Sequence, residues 1–335
     1  MAPGSKESSA TVNAQATVVP FSRLRLQIDR MTDRDWMFPY ASARGVVAER
    51  YSALLQTLRD IAEEGCRLYR HHAEEQAPRS TPVRAEYYHR LYLLGALRHT
   101  LTLLESTIAL LDSGLTHGAR VTARPLFEIL VNTKHIVAHP NEPVAWQLFY
   151  SAMRDHLHSH RAALKAMDPA VFPAAAIERA QTQVARIEGE VRELAGPEVQ
   201  DREVVRWAGK KLTFAALARM HGMEDDYLAV YKDFSWDTHG TLALFHSTRR
   251  TPEGAMVLRD AFDLQDTRFV ALAAGRWALE ILHLVAAAWQ TTTRGDALGT
   301  RLVRAAEETV NPSLPEWSEW MALVREHEGP ASASP

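Results

Sequence analysis

An arginine and a carboxylate one helical turn apart, Arg124 and Glu128, stand inside the stretch Ser113 to His139, SGLTHGARVTARPLFEILVNTKHIVAH. Side chains four residues apart share a helical face. The pair therefore lies beside the apolar stripe of Val121, Leu126, Ile129, Leu130, Ile136 and Val137. Read as architecture, it is a buried ion pair that fixes helix register. Such pairs add little net stability, yet losing one partner costs roughly 3–5 kcal/mol. Read as chemistry, it lines a polar pocket.

A second cluster is DDYLAVYKDFSWDTHG, residues 225–240. Tyr227, Tyr231, Ser235 and His239 recur every four residues and so line one helical face with modest drift. Every member can donate a hydrogen bond, and buried donors require partners. An Arg–Glu pair on a neighbouring helix would supply them. Two readings stay open: a satisfied polar core layer, or a ligand pocket or acid/base site around His239. In the second reading His239, Arg124 and Glu128 are the catalytic candidates, and Tyr231, Ser235 and Tyr227 the ligand-binding ones.

The histidines raise metal chemistry. His135/His139 and His156/His160 are HxxxH pairs, each able to set two imidazoles on one face, and they flank the turn at Pro140. His139 abuts that proline, and the HExxH glutamate is missing. Glu280/His283 and Asp155/His158 have the carboxylate-x-x-His spacing of di-iron bundles, but further carboxylates, such as Glu105 and Glu128, would have to converge with them. With 15 histidines, chance pairs are expected, so no metal or other cofactor is assigned. Arg154 and His160 match an Arg-x(4–6)-His spacing found in some helical ribonucleases. Composition alone yields about four such pairs in a chain this rich in arginine. The sequence contains no glycine-rich phosphate loop, Rossmann fingerprint or G-x-S-x-G elbow.

The run LDSGLTHGARVTARPLFEILVNTKHI, followed by Trp207 and then YKDFSWDTHGT, resembles an uncharacterised bacterial family of helical proteins, domain of unknown function 5677. The likeness covers roughly residues 85–250. It implies an all-helical fold and maps an Arg-x-x-x-Glu and a later Tyr/Ser/His-Gly segment onto Arg124, Glu128, Tyr231, Ser235, His239 and Gly240. It brings no established activity.

These side chains must be positioned by helices. Tyr51, Leu54, Leu55, Leu58, Ile61 and Leu68 follow a 3.6-residue period and predict a helix over 46–75, broken by APRSTP at 77–82. Leu91, Leu94, Leu97, Leu101, Leu104, Ile108 and Leu111 predict another over 84–111. The helix carrying Arg124 ends at His139-Pro140, since a residue before proline is pushed out of the helical region. Helices follow over 144–167, 174–195, 212–221, 224–238, 265–291, 297–309 and 315–326, with a loop around 249–254. Residues 21–43 read as irregular. No alternating strand pattern of useful length occurs. The expected fold is all-α: a bundle of long antiparallel helices with a protruding charged arm at 174–195. One domain spans 21–310, between a disordered tail at 1–20 and a C-terminal helix and tail at 311–335.

Composition bounds the function. Of the 335 residues 46% are apolar and 24% charged, ordinary proportions for a soluble globular chain. A net charge of -3 gives no global field toward nucleic acid or anionic membranes. Cys66 is the single cysteine, which excludes a disulfide framework and fits a reducing cytoplasm. Phe269 to Trp289 approaches membrane-span length, but it carries Arg276, Glu280 and His283, which hydrocarbon penalises, so a buried helix is expected. The expectation is a cytoplasmic binding or interaction protein without membrane association. Its partner is an unidentified small molecule, protein or RNA, and homo-oligomerisation is left open. The alternatives are a hydrolase, extending to a ribonuclease in a defence or toxin setting, and a metal-dependent helical-bundle enzyme.

Overall fold

Ser113-Gly114 turns one long helix into the next. Gly114 adopts φ 73°, in the left-handed region that favours glycine, and Leu115 N–H bonds back to the Leu110 carbonyl at 2.8 Å. This is the six-to-one closure of a Schellman end, and it sends the following helix back along its predecessor.

The structure, a computed structural model, describes residues 40–75, 84–195, 213–236, 248–250, 256–258 and 266–309. Expectations for residues 1–39, for 77–82, for Trp207, His239 and Gly240, and for a helix at 315–326 lie outside them. The helices are α1 Tyr40–Arg50, α2 Ser52–Glu75, α3 Arg84–Asp112, α4 Thr116–Ala138, α5 Val144–Ala166, α6 Ala174–Ala195 and α7 Phe214–Met220. Next comes α8, a composite of Glu224–Asp226, the π-helical Tyr227–Tyr231 and Lys232–Trp236. The strands β1 Thr248–Arg250 and β2 Met256–Leu258 precede α9 Thr267–Ala288 and α10 Gly295–Glu307.

The fold is all-α. Of the loop expected around 249–254, residues 249 and 250 belong to β1, which pairs antiparallel with β2, Arg249 opposite Val257; residues 251–254 lie outside the described residues. Three residues are too few to produce a readable alternation. The expected helix over 46–75 starts earlier, at Tyr40, and is divided at Tyr51, although Tyr51 N–H still reaches the Val47 carbonyl and Leu55 N–H the Tyr51 carbonyl.

The core is built from the predicted stripes. Leu54, Leu58 and Ile61 of α2, Leu97 and Leu104 of α3, and Leu126, Phe127 and Leu130 of α4 are fully buried. They enclose α9, whose Val270, Ala274, Trp277, Ala278, Ile281, Leu282 and Val285 are buried as well. By length and apolarity α9 alone among the described helices could cross a membrane, but much of its surface is covered by neighbouring helices. Val121 and Leu91, read as inward, stand at the margin and are exposed. Pro125 lies within α4, where its missing N–H removes one helix bond.

Packing of α6 against α5 uses Leu157, Val184 and Ile187, with Met153, Leu164 and Val191 alongside. Arg161 of α5 grips Glu188 of α6, and Trp146 Nε1 donates to the Leu194 carbonyl at 3.0 Å. Ile136, Val144 and Ala145 form the smaller cluster that seats the start of α5 near Tyr88 and Tyr92 of α3.

Candidate functional site

The π-helical turn of α8 presents Tyr231 to α4. Lys232 N–H bonds the Tyr227 carbonyl, five residues back, which widens the helix by one residue; such turns recur at functional sites. The widened turn stacks Tyr227 on Tyr231, with ring centroids 5.4 Å apart. Tyr231 O–H donates to Glu128 Oε1 at 2.9 Å and accepts from Arg124 Nη2 at 3.0 Å. Arg124 and Glu128 themselves are 3.3 Å apart, and the guanidinium lies 5.1 Å from the Tyr231 ring centroid. The two sequence clusters therefore meet in a closed triangle of cation, phenol and carboxylate.

The triangle is not sealed. The Arg124 side chain is 27% exposed and that of Glu128 40%, which corrects the expectation of a buried ion pair: α4 carries these residues at the edge of its apolar stripe. Burial raises the Tyr231 phenol above its ordinary value; Arg124 opposes that shift, while Glu128 reinforces it. The phenol accordingly stays protonated and remains the donor to Glu128. Ser235 donates to the Tyr231 carbonyl at 2.7 Å, as helical hydroxyls commonly do. His239 lies outside the described residues.

Beneath the triangle runs an aromatic layer. Phe127 of α4 contacts Phe214 of α7, Tyr231 and Trp277 of α9, with centroids 5.2–6.0 Å apart. One turn before Arg124, Arg120 is 3% exposed and pairs with Asp233 of α8 and, at 3.1 Å, with Asp266 at the start of α9. It also sits over the Phe234 ring at 5.4 Å. The deeply buried arginine of this region is thus Arg120, not Arg124. The sequence reading did not single out Arg120, because its carboxylates lie 113 and 146 positions away.

A cleft of about 610 Å3 opens between α8, α9 and α10, with Asp226 and Val230 contributed by α8. Val230, Phe269, Leu272, Trp277, Leu302 and Val303 form apolar walls. Asp226 lies at one end, accepting from Trp277 Nε1 at 3.2 Å and from Arg276 at 3.3 Å. Glu280 and His283 lie further along. The sequence reading missed this cleft, because its walls come from three helices whose relative placement no local pattern reveals.

The metal candidates do not converge. Among the described residues no three His, Cys, Asp or Glu side chains are placed to hold one ion. Glu280 pairs with Lys134, His283 approaches Asp296 at 3.6 Å, and Glu128 is engaged by Tyr231 and Arg124. The His156 and His160 rings meet edge to face at 4.4 Å. His139 Nδ1 lies 2.7 Å from the His135 carbonyl, and His135 turns toward His221. Arg154 packs over Tyr150 at 5.8 Å.

Fold and site define an all-α protein in which one π-turned helix contributes Tyr231 to a polar triangle and Asp226 and Val230 to an apolar cleft. Residues 90–255 match the model of the Family of unknown function (DUF5677). No curated protein and no solved structure matches the chain.

Proposed function

We propose that this is a cytoplasmic binding protein, and that its ligand is an apolar small molecule with one hydrogen-bonding end, held in the cleft between α8, α9 and α10. The observation that carries this reading is the cleft itself. Its volume of about 610 Å3 falls within the roughly 300–1,000 Å3 range of small-molecule sites, which are mostly apolar with a few placed polar groups. Phe269, Leu272, Trp277 and Val303 supply the apolar surface. Arg276, which is largely solvent-exposed, can direct free N–H groups at the polar end of a ligand. Asp226 is held in place by the Trp277 indole.

Titration with a fluorescent naphthalene-sulfonate dye tests this. Binding is expected in the micromolar range for the native chain. Ala273→Trp, which fills the cleft, should abolish it while leaving the helical circular dichroism signal intact. Undiminished dye binding in that variant rejects the cleft as the site.

A second reading, hydrolysis at the triangle, rests on the partly solvent-exposed Glu128 carboxylate, which accepts a hydrogen bond from the Tyr231 phenol. Extended to an RNA substrate, it predicts nuclease activity that is lost in Glu128→Gln and in His239→Ala. Equal activity in all three proteins would remove it.

A further inference from the structure

His135, in the last turn of α4, is one of the few buried histidines of the described chain, 8% exposed. Its Nδ1 faces Nε2 of His221 at 3.2 Å, and the two rings meet at 67° with centroids 5.3 Å apart. His221 caps the C-terminus of α7, its N–H bonding the Leu217 and Ala218 carbonyls, and Gly222 at φ 68° reverses the chain into α8. A third imidazole, His139, packs on His135 at 4.5 Å. One hydrogen between two ring nitrogens holds a neutral pair together; two protonated rings present donors to each other and repel.

We propose that the His135–His221 contact is a pH-sensitive latch: it holds α7 against α4 while both imidazoles are neutral and releases α7 when they take up protons. The surrounding groups favour the neutral state. Burial, then His139 and His221, depress His135 to about 4, with Glu142 opposing. Burial, then Lys134 and His139, lower His221 as well. From α9, Glu280 is held by Lys134, and from α3, His89 hydrogen-bonds the Ile136 backbone.

Release reaches the candidate site. At the opposite end of α7, Phe214 packs on Phe127, Tyr227 and Tyr231, with centroids 5.2–6.1 Å apart. An α7 set free from α4 lifts this ring from the aromatic layer and uncovers the Tyr231 side of the triangle. Along the chain, Asp226 of the cleft lies five positions after His221.

The sign follows from linkage. A histidine depressed in the closed state stabilises closure fully above its ordinary value of 6.5, and that stability is lost as pH falls toward 4. For His135 alone, opening should become roughly twentyfold easier between pH 7 and pH 5. Hydrogen exchange of the 213–223 backbone, corrected for intrinsic rate, reads this directly in the full chain. Protection should fall about twentyfold at pH 5 in the native protein, while α9 keeps its protection. His135→Gln and His221→Asn, prepared separately, should each flatten the pH response. Pairing the two guards against one variant failing to fold. Equal protection of α7 at both pH values in the native protein overturns the latch. So does an undiminished pH response in a folded variant.

Discussion

Tyr231 reaches 103 residues back along the chain to place its hydroxyl 2.9 Å from Glu128. The same oxygen accepts from Arg124. A neutral phenol thereby joins two charged groups that would otherwise pair only through a long contact on one helix. Because both charged partners are partly exposed, water competes for them, and the triangle contributes less than a sealed ion pair would.

Tyr231→Phe keeps the aromatic stack and removes only the hydroxyl. It should cost about 1 kcal/mol, the net worth of a hydrogen bond of this kind. Glu128→Gln should cost no more than about 1 kcal/mol, in the range of exposed pairs. A double-mutant cycle by urea denaturation should give a coupling of roughly 0.5 kcal/mol or more between the two sites. A coupling of zero would mean that the phenol and carboxylate do not share a bond in solution.

Arg120 should behave differently. Its removal takes a buried guanidinium away from Asp233 and Asp266, so Arg120→Ala should destabilise by about 3–5 kcal/mol. Arg120→Lys should recover little, since an ammonium lacks the fork that spans two carboxylates. Chemical denaturation of both variants checks this, and full recovery by lysine would show that a single charge suffices.

Glu64 is a structural anchor that sequence pattern did not mark. Its carboxylate is 1% exposed and is held by Arg67 and by both the backbone N–H and the Nε of Arg294, which tie the turn before α10 to α2. The Arg67 hydrogen bond, aided by Arg294 and opposed by burial, lowers the carboxyl from 4.5 to about 2. Its contribution is therefore present above pH 4.5 and is lost as pH falls toward 2, up to about 3 kcal/mol in all. Urea titrations between pH 6 and pH 2.5 should show a stability slope that Glu64→Gln removes. An unchanged slope in that variant would assign acid sensitivity to other carboxylates.

Gly275 sets two effects against each other. Alanine gains up to about 1 kcal/mol of helix propensity over glycine. Its Cβ, however, would lie 2.7 Å from a Leu58 methyl and 2.8 Å from a Leu302 methyl, and both leucines are buried. Overpacking of this kind costs about 1–3 kcal/mol, so Gly275→Ala should be net destabilising by about 1 kcal/mol in thermal and urea melts. Leu302 also lines the cleft, so dye affinity should fall in the same variant. A rise in stability would show that the leucines move aside cheaply.

The sequence by itself determined the helices and most of their inner faces. Apolar spacing at Leu54, Leu58 and Ile61, or at Leu97, Leu101 and Leu104, is a local property of the chain, and a helix with one apolar face has to bury it. Turn chemistry was equally local: Ser113-Gly114 and His139-Pro140 end helices where backbone sterics require. The residue types of the triangle were legible for the same reason, since Arg124 and Glu128 sit one turn apart and Tyr231 recurs with Tyr227. Tertiary structure alone decided which of these residues meet. Whether Arg124 or Arg120 lies deeper depends on how far α4 turns against α8 and α9, an angle set by the summed packing of Phe127, Phe234 and Trp277. The π-helical turn that aims Tyr231 at Glu128, the walls of the cleft and the approach of His221 to His135 all join segments far apart in the chain. Such contacts form only when distant apolar faces have found one another, and no spacing within a single helix encodes them.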